Sequence, residues 1–439
     1  MKTYGKIDDF YIKGDEEYLF KDILPSYYVK QNLDKGHVST DYALRFVQNE
    51  LNELLHSFVN GGFSYKGYVL FPLVRGISRN NLEKIRKLKQ IMIFLNDNGY
   101  DFSDSIKMYA GNIKNSKSFA ILLSSLYQDF SSVKHKNTKL INKPKCQELN
   151  INSYKKFDLR YLKPLAELKN YANRHLKQYL AGFYLHGSLA TKDYVKGWSD
   201  ADTLAVVSKE AIENPEKLLG LRIKMYYMRH FLYMIDPLQH HGSIIISQYD
   251  LDNYCKVYFP VEIFKYAKSF FKEDGISKIR VRDCSSESLA KLFWFVNYFR
   301  RINIQKSYNM SSYDAKNLLH CITLFPTVYL NAKGIFVYKR LSFEMAKKDF
   351  KKEAWEVIDY ASSIRRNWKN TGSLPFIRLG SSINPLLAYR LNSRVVDFFK
   401  DIKKINNINT KYLVENMFRL SEGAWNRIKN AKIKKVQFF

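Results

Sequence analysis

FYLHGSLATKDYVKGWSDADTLAVV, residues 183–207, is the stretch whose reading decides the fold. The apolar run Phe183–Leu185 ends in Gly187-Ser188, and eleven residues later Ser199-Asp200-Ala201-Asp202 opens a second apolar run, Leu204–Val207. This pattern predicts a strand, a Gly-Ser turn, a loop, and a second strand that carries carboxylates at i and i+2. Alternate residues of a strand share a face, so Asp200 and Asp202 can converge on one divalent cation. The small Gly187-Ser188 corner lets backbone N–H groups come close to a phosphate. Carboxylates that hold a metal beside a phosphate cradle are what phosphoryl or nucleotidyl transfer requires.

These elements, in this order, resemble the signature of the DNA polymerase β-like nucleotidyltransferase superfamily: an apolar strand, Gly-Ser, about ten residues, then Asp-x-Asp on the next strand. The match extends to Ser199 before the first aspartate and covers about 25 residues. A helical pattern over Leu165–Tyr179 directly precedes the motif, as it does in that superfamily. The resemblance implies an α+β fold with a small mixed-sheet catalytic domain. It implies that Gly187 and Ser188, with Ser199 beside them, hold the phosphates of an NTP, and that Asp200 and Asp202 bind Mg²⁺ (or Mn²⁺). An NMP would pass to an acceptor hydroxyl and pyrophosphate would leave. The helical C-terminal half resembles that of the drug-modifying and minimal nucleotidyltransferases, in which such a bundle closes the cleft.

The chain departs from the family at one point. Members carry a third acid on the strand after Asp-x-Asp, whereas the corresponding run here, 240–247, has none. The aligned position falls at Ser243, or at His241 on the same strand face. Three groups can take the role: His241 as base or ligand, Asp236 from the preceding turn, or Glu262 from later in the chain. Histidine suits a base because it titrates near neutrality. If none serves, a nucleotide-binding pseudoenzyme or interaction protein is the reading.

The chain has 439 residues, 46% of them apolar, which is enough for two or three domains and a sizeable core. A net charge of +29 favours a polyanionic partner such as RNA. Three functions therefore compete: nucleotide addition to an RNA end such as a tRNA, NMP transfer to a small molecule or protein, and nucleotide binding without turnover. Met1–Lys6 leads into charged residues, not an apolar core, so no signal peptide is expected. The most apolar stretch, Leu292–Phe299, is far shorter than a bilayer span, so no membrane association is expected. Cys146, Cys255, Cys284 and Cys321 are scattered without Cys-x-x-Cys pairing and fit reduced thiols in a cytoplasm.

Along the chain, 1–133 reads as a mainly helical N-terminal region, with helical periods at Asp41–Val59, Leu82–Leu95 and Ser118–Phe130. The lysine-rich stretch 134–156 reads as a linker, 157–284 as the catalytic domain, and 285–439 as a helical domain with a basic tail. Within the catalytic domain a helix is expected over Pro215–Met234, a strand over Ser243–Ser247 and another helix after Pro260. Later helices are expected over Glu287–Arg300, Ser312–Leu330, Ser342–Ser363 and Ser393–Ile405. Lys192 and Lys196, in the loop between the two motif halves, are candidate triphosphate contacts. Lys339, after the turn-like Gly334, is a candidate to reach the nucleotide from the bundle. Trp198 and Tyr194 are candidates to stack on a base or to pack.

Overall fold

A computed structural model describes residues 40–60, 79–109, 113, 115–133, 138–159, 161–239, 242–257, 259–273, 275–369, 379–399, 404 and 406–436. The expected N-terminal helices are α1 (Thr40–Val59), α2 (Arg79–Asp97) and α4 (Ser116–Ser131), with a short α3 (Ser103–Tyr109) between them. Helix α4 starts from a capping box in which Asn115 and Ser118 satisfy each other's backbone N–H groups.

The stretch read as a linker is drawn into sheets. Strand β1 (Lys139–Asn142) pairs antiparallel with β7 (Lys278–Val281), and β2 (Gln147–Glu148) pairs with β6 (Lys268–Ser269). The motif strands are β3 (Leu180–His186) and β4 (Asp202–Val207), separated by the five-residue helix α6 (Gly187–Thr191) and a loop. Helix α5 (Lys163–Tyr171) continues through a π turn, Ala172–Leu176, directly into β3. After β4 come α7 (Lys209–Glu213), α8 (Pro215–Ile235) and β5 (Ile244–Ser247). The main sheet has five strands in the order β2-β6-β3-β4-β5, with β3/β4 antiparallel and β4/β5 parallel. The protein thus mixes helix with a small mixed sheet.

Alternation along the strands builds two separate cores. Phe183, Leu185, Ala205, Val207 and Ile245 face α1, α4, α5 and α8, and all of these belong to one continuous apolar cluster. Tyr184, Leu204, Val206 and Ile246 face the other way, onto Phe259 and Phe264. The N-terminal helices therefore share a core with the sheet. Helix α1 also reaches β5 through polar side chains: Asn60 Nδ2 donates to the Ser243 carbonyl at 3.0 Å, and Gln48 and Asn52 donate to buried Asp250.

The C-terminal half is α9 (Ser285–Ile304), α10 (Ser312–Ala332), α11 (Lys339–Lys347), α12 (Lys352–Arg366), α13 (Pro385–Phe399) and α14 (Thr410–Val436). It has its own core, built around Leu292, Phe299, Ile322, Phe325, Trp355 and Met417. Three sequence expectations need correction. The single helix over Ser342–Ser363 is two helices, because Asp349 is held by the Tyr329 hydroxyl (3.0 Å) and the Lys333 ammonium (2.6 Å), which turns the chain between α11 and α12. The helix after Pro260 is only a 3₁₀ turn, Val261–Lys265, since the next residues pair with β3 as β6. The helix expected over Ser393–Ile405 begins earlier, at Pro385; residues 400–403 and 405 lie outside the described residues. Among the described residues no helix is long and apolar enough to cross a membrane.

Candidate active site

The site forms where β3 hands over to α6 beside the start of β4. His186, the last residue of β3, is in register with Asp202, the first residue of β4. Gly187 follows with φ +71°, a conformation that side-chain-bearing residues rarely adopt. A Cβ on Gly187 would lie 2.2 Å from Asp202 Oδ2, so the carboxylate rests directly on the glycine backbone. The glycine is needed for both its dihedral angle and its lack of bulk. Asp200 lies just ahead of β4, in the loop and not on the strand, and is 8% exposed; Asp202 is half-buried.

Ser188 donates from Oγ to Ser199 Oγ at 2.9 Å, and Ser199 Oγ also accepts the Val195 N–H at 2.9 Å. Ser199 is therefore buried scaffolding that ties the 193–200 loop to the Gly-Ser corner. Half-buried Ser188 remains at the surface of that corner. The lysines of the loop are turned elsewhere. Lys192 donates to the Ser153 carbonyl at 3.0 Å and lies over the Tyr154 ring, and Lys196 pairs with Asp158. Trp198 packs edge-on against Trp368 at 5.0 Å in the bundle core, and Tyr194 packs on Tyr161 and bonds Asp158. These aromatics are structural.

The bundle reaches the site through the start of α11. The Tyr338 hydroxyl pairs with Thr191 Oγ1, at the end of α6, at 2.9 Å. The next residue, Lys339, donates to Thr323 Oγ1 at 3.2 Å and lies within the fields of Asp202, Asp200 and Arg365. Burial, together with the Arg365 charge, pushes the Lys339 ammonium down to about 8, while the two aspartates oppose that shift. The structure thus brings Gly187, Ser188, Asp200, Asp202 and Lys339 together. Arg365 and the Thr191–Tyr338 link belong to the same corner; no local pattern marks that link, because its two residues come from distant elements.

The candidates for a third acid meet different fates. Ser243 is buried and hydrogen-bonded to Thr203 at 2.7 Å, on the α-helical side of the sheet. Thr203 lies between Asp202 and Leu204, and adjacent strand residues face opposite ways, so the aligned position points away from Asp202. His241 and its neighbour His240 lie outside the described residues. Glu262 is ion-paired with Lys256 at 2.6 Å. Asp236 comes nearer, since its carboxyl feels the charge of Asp200. Its oxygens are engaged, however: Oδ2 accepts the Lys316 ammonium at 2.6 Å and Oδ1 accepts the Leu238 N–H at 3.0 Å.

Two carboxylates and no soft ligand suit a hard cation such as Mg²⁺, which commonly binds one or two carboxylates and takes its remaining oxygens from water and substrate phosphates. Among the described residues no cluster of three or more His, Cys, Asp or Glu side chains is suited to hold a metal by itself. The donor set among the described residues fits an ion that takes further oxygens from a polyphosphate. No protein-family model, curated protein or solved structure matches this chain.

Proposed function

We propose that this chain is a Mg²⁺-dependent nucleotidyltransferase that moves an NMP from an NTP to an acceptor hydroxyl and releases pyrophosphate. The observation that carries the reading is the contact of the Asp202 carboxylate with the Gly187 backbone, which sets a candidate metal ligand beside a candidate phosphate cradle. Asp200 and Asp202 would hold the ion, and Mg²⁺ when bound would neutralise charge on the triphosphate. The Gly187-Ser188 backbone would bind the terminal phosphates, and the Lys339 ammonium would approach them from the bundle. Positioning and fixed charge supply most of the acceleration in such chemistry. The net charge of +29 favours RNA as the acceptor.

The test is transfer of label from each α-³²P NTP to total RNA or to a cell extract, by the wild type and by Gly187→Ala. Label should appear in acid-insoluble or adduct material with the wild type, and fall at least tenfold when a Cβ displaces Asp202. A wild-type chain that binds nucleotide but transfers nothing would favour a second reading, binding without turnover. That reading draws on the engagement of Asp236 by Lys316 and of Glu262 by Lys256. RNA affinity should fall steeply with salt, because neutralised phosphates release counterions. A flat dependence would move the acceptor to a small molecule or protein.

A further inference from the structure

One of the five tryptophans stands apart from the rest. Trp198, Trp355, Trp368 and Trp425 are buried, whereas Trp294 is 44% exposed. It lies on α9, whose Leu292, Val296 and Phe299 are sunk in the core of the bundle. Helical spacing puts Lys291, Trp294, Tyr298, Arg301 and Gln305 on the opposite stripe, and each of them is half-buried or exposed. The Trp294 and Tyr298 rings stack 11° from parallel, with centroids 5.6 Å apart. Tyr298 thus backs the indole and leaves it as the larger aromatic surface offered to solvent.

The surroundings of this stripe are basic. Residues 288–310 contain no Asp or Glu. Helix α14 runs antiparallel beside α9: Thr410 Oγ1 donates to the Tyr308 carbonyl at 2.7 Å, Arg300 Nε donates to Glu422 at 2.8 Å, and Trp425 meets Phe293 with ring centroids 5.3 Å apart. The end of α14 therefore passes the half of α9 that carries Trp294. Beyond Trp425 it brings Lys429, Lys432, Lys434 and Lys435, and 423–436 has no acid. The acids that border the two helices are already paired, Glu422 with Arg300 and Glu287 with Arg282.

We propose that Trp294, backed by Tyr298, is a stacking platform for an unpaired base of single-stranded RNA, whose phosphates lie along Arg301 and the lysine-rich end of α14. An aromatic face accepts any base, and cations beside it follow the backbone, which is how single strands are held without a choice of sequence. A second copy of the chain is a poorer occupant, because it would bring the same excess of positive charge to the contact. The choice of RNA rests on the proposed acceptor; the platform itself is read from the two helices alone.

The test is fluorescence anisotropy of a labelled oligouridylate of about twelve nucleotides, without NTP or Mg²⁺. Trp294→Ala should weaken binding about five- to a hundredfold, the range for losing one stacked base, and Trp294→Phe should recover much of that loss. Arg301→Gln should reduce the slope of log affinity against log salt by about 0.7, the share of one phosphate on a single strand. Fully paired RNA should bind the wild type and Trp294→Ala alike, since its bases are not free to stack. The oligonucleotide should also quench wild-type tryptophan emission, and no longer do so in Trp294→Phe, because the other four indoles are buried. Equal affinity of wild type and Trp294→Ala for the single strand, an equal loss on paired RNA, or emission unchanged by bound strand would each overturn the proposal. So would dimerisation of the RNA-free wild type that Trp294→Ala abolishes, which would assign the face to a second copy. If the alanine variant fails to fold, the quenching in the wild type and its loss in Trp294→Phe decide. A chain that binds the strand in this way yet transfers nothing removes the proposed function and leaves the platform. Transfer to RNA with no change of strand affinity in Trp294→Ala removes only the platform.

Discussion

Two acidic sites lie a short distance apart at the corner where the sheet meets the bundle, and they have opposite surroundings. Asp200 is 8% exposed and Asp202 half-buried, with a glycine backbone beneath Asp202 and the Lys339 ammonium within the fields of both. Asp236 is fully buried, with Lys316 bonded to one oxygen and a backbone N–H to the other, and Lys316 itself also lies over the Trp198 ring. Burial pushes the Asp236 carboxyl up, Lys316 pulls it down, and the Asp200 charge pushes it up again. A carboxylate whose oxygens are taken has little left to offer a metal or a proton. The comparison teaches that identical side chains in one neighbourhood acquire different surroundings, and under the proposed function they would divide into a chemical pair and a structural one.

Substituting each site in turn should give the largest contrast. Asp202→Ala is expected to lower NMP transfer by about three orders of magnitude, at the upper end of what losing one preorganised electrostatic group costs. Circular dichroism and the melting temperature should stay close to those of the wild type, since the removed charge is half-exposed. If Asp202→Ala keeps more than a tenth of wild-type turnover, while Asp236→Asn folds and is inactive, the roles assigned to the two sites are reversed.

Lys316→Met should act mainly on stability. It leaves Asp236 buried without its cation, and breaking a buried pair from one side typically costs about 3–5 kcal/mol. Because two apolar residues can replace such a pair at little cost, the double variant Lys316→Met/Asp236→Leu should recover much of that loss in urea unfolding. Additive effects of the two single substitutions would mean that the pair is not energetically coupled. The loop bearing Asp200 would then have to be held by other contacts, such as Trp198 on Trp368.

How much of this corner can be read from the sequence follows from how local each signal is. The spacing from Gly187 to Asp202 is short and is written in one continuous stretch, so strand, turn and strand emerge where the pattern puts them. Even there Asp200 falls in the loop, because Ser199 closes that loop from inside through Ser188 and Val195. Lys339 could be named only as a basic residue after Gly334; its neighbourhood depends on Tyr338 meeting Thr191, 147 residues away in the sequence. Lys316 carries no signal at all, since a lysine on an apolar helix looks like a solvated one until Asp236 is placed opposite it. The aligned position for a third acid failed for a simpler reason. A shift of one residue along a strand exchanges faces, and Ser243 pairs with Thr203 on the wrong one.

The cation beside Asp200 and Asp202 offers a finer test. Lys339→Met should weaken binding of an ATP analogue about ten- to a hundredfold, the range for one charge-assisted hydrogen bond. It should also change how stability varies with pH. The folded-state value is about 8 against an ordinary 10.5, so between these limits the unfolded chain holds a proton that the folded chain has lost. Stability from this group therefore rises with pH across that window, and the full penalty of the buried charge is present below about 8. The methionine variant should be more stable than the wild type at pH 7, with the difference shrinking toward pH 10. An equal gap at both values would mean that the ammonium is well solvated and the corner more open than described.

The smallest effect is expected at Lys192, which the sequence ranks beside Lys339 as a phosphate contact. Its ammonium is already spent on the Ser153 carbonyl and the Tyr154 ring, on the side of the loop that packs toward residues 153–154. The side chain is exposed, so Lys192→Ala should change stability by no more than about 0.5 kcal/mol. Nucleotide affinity should move less than twofold, against the much larger loss for Lys339→Met. Its backbone is a separate matter, because Lys192 ends α6 at φ 64°, where glycine is at ease. Lys192→Gly should therefore match or slightly exceed wild-type stability, and isothermal titration with an ATP analogue should give the same affinity for glycine, alanine and lysine at this position. A drop of tenfold or more in both variants would show that the ammonium leaves Ser153 for the nucleotide when the site fills, and the two lysines would then belong together.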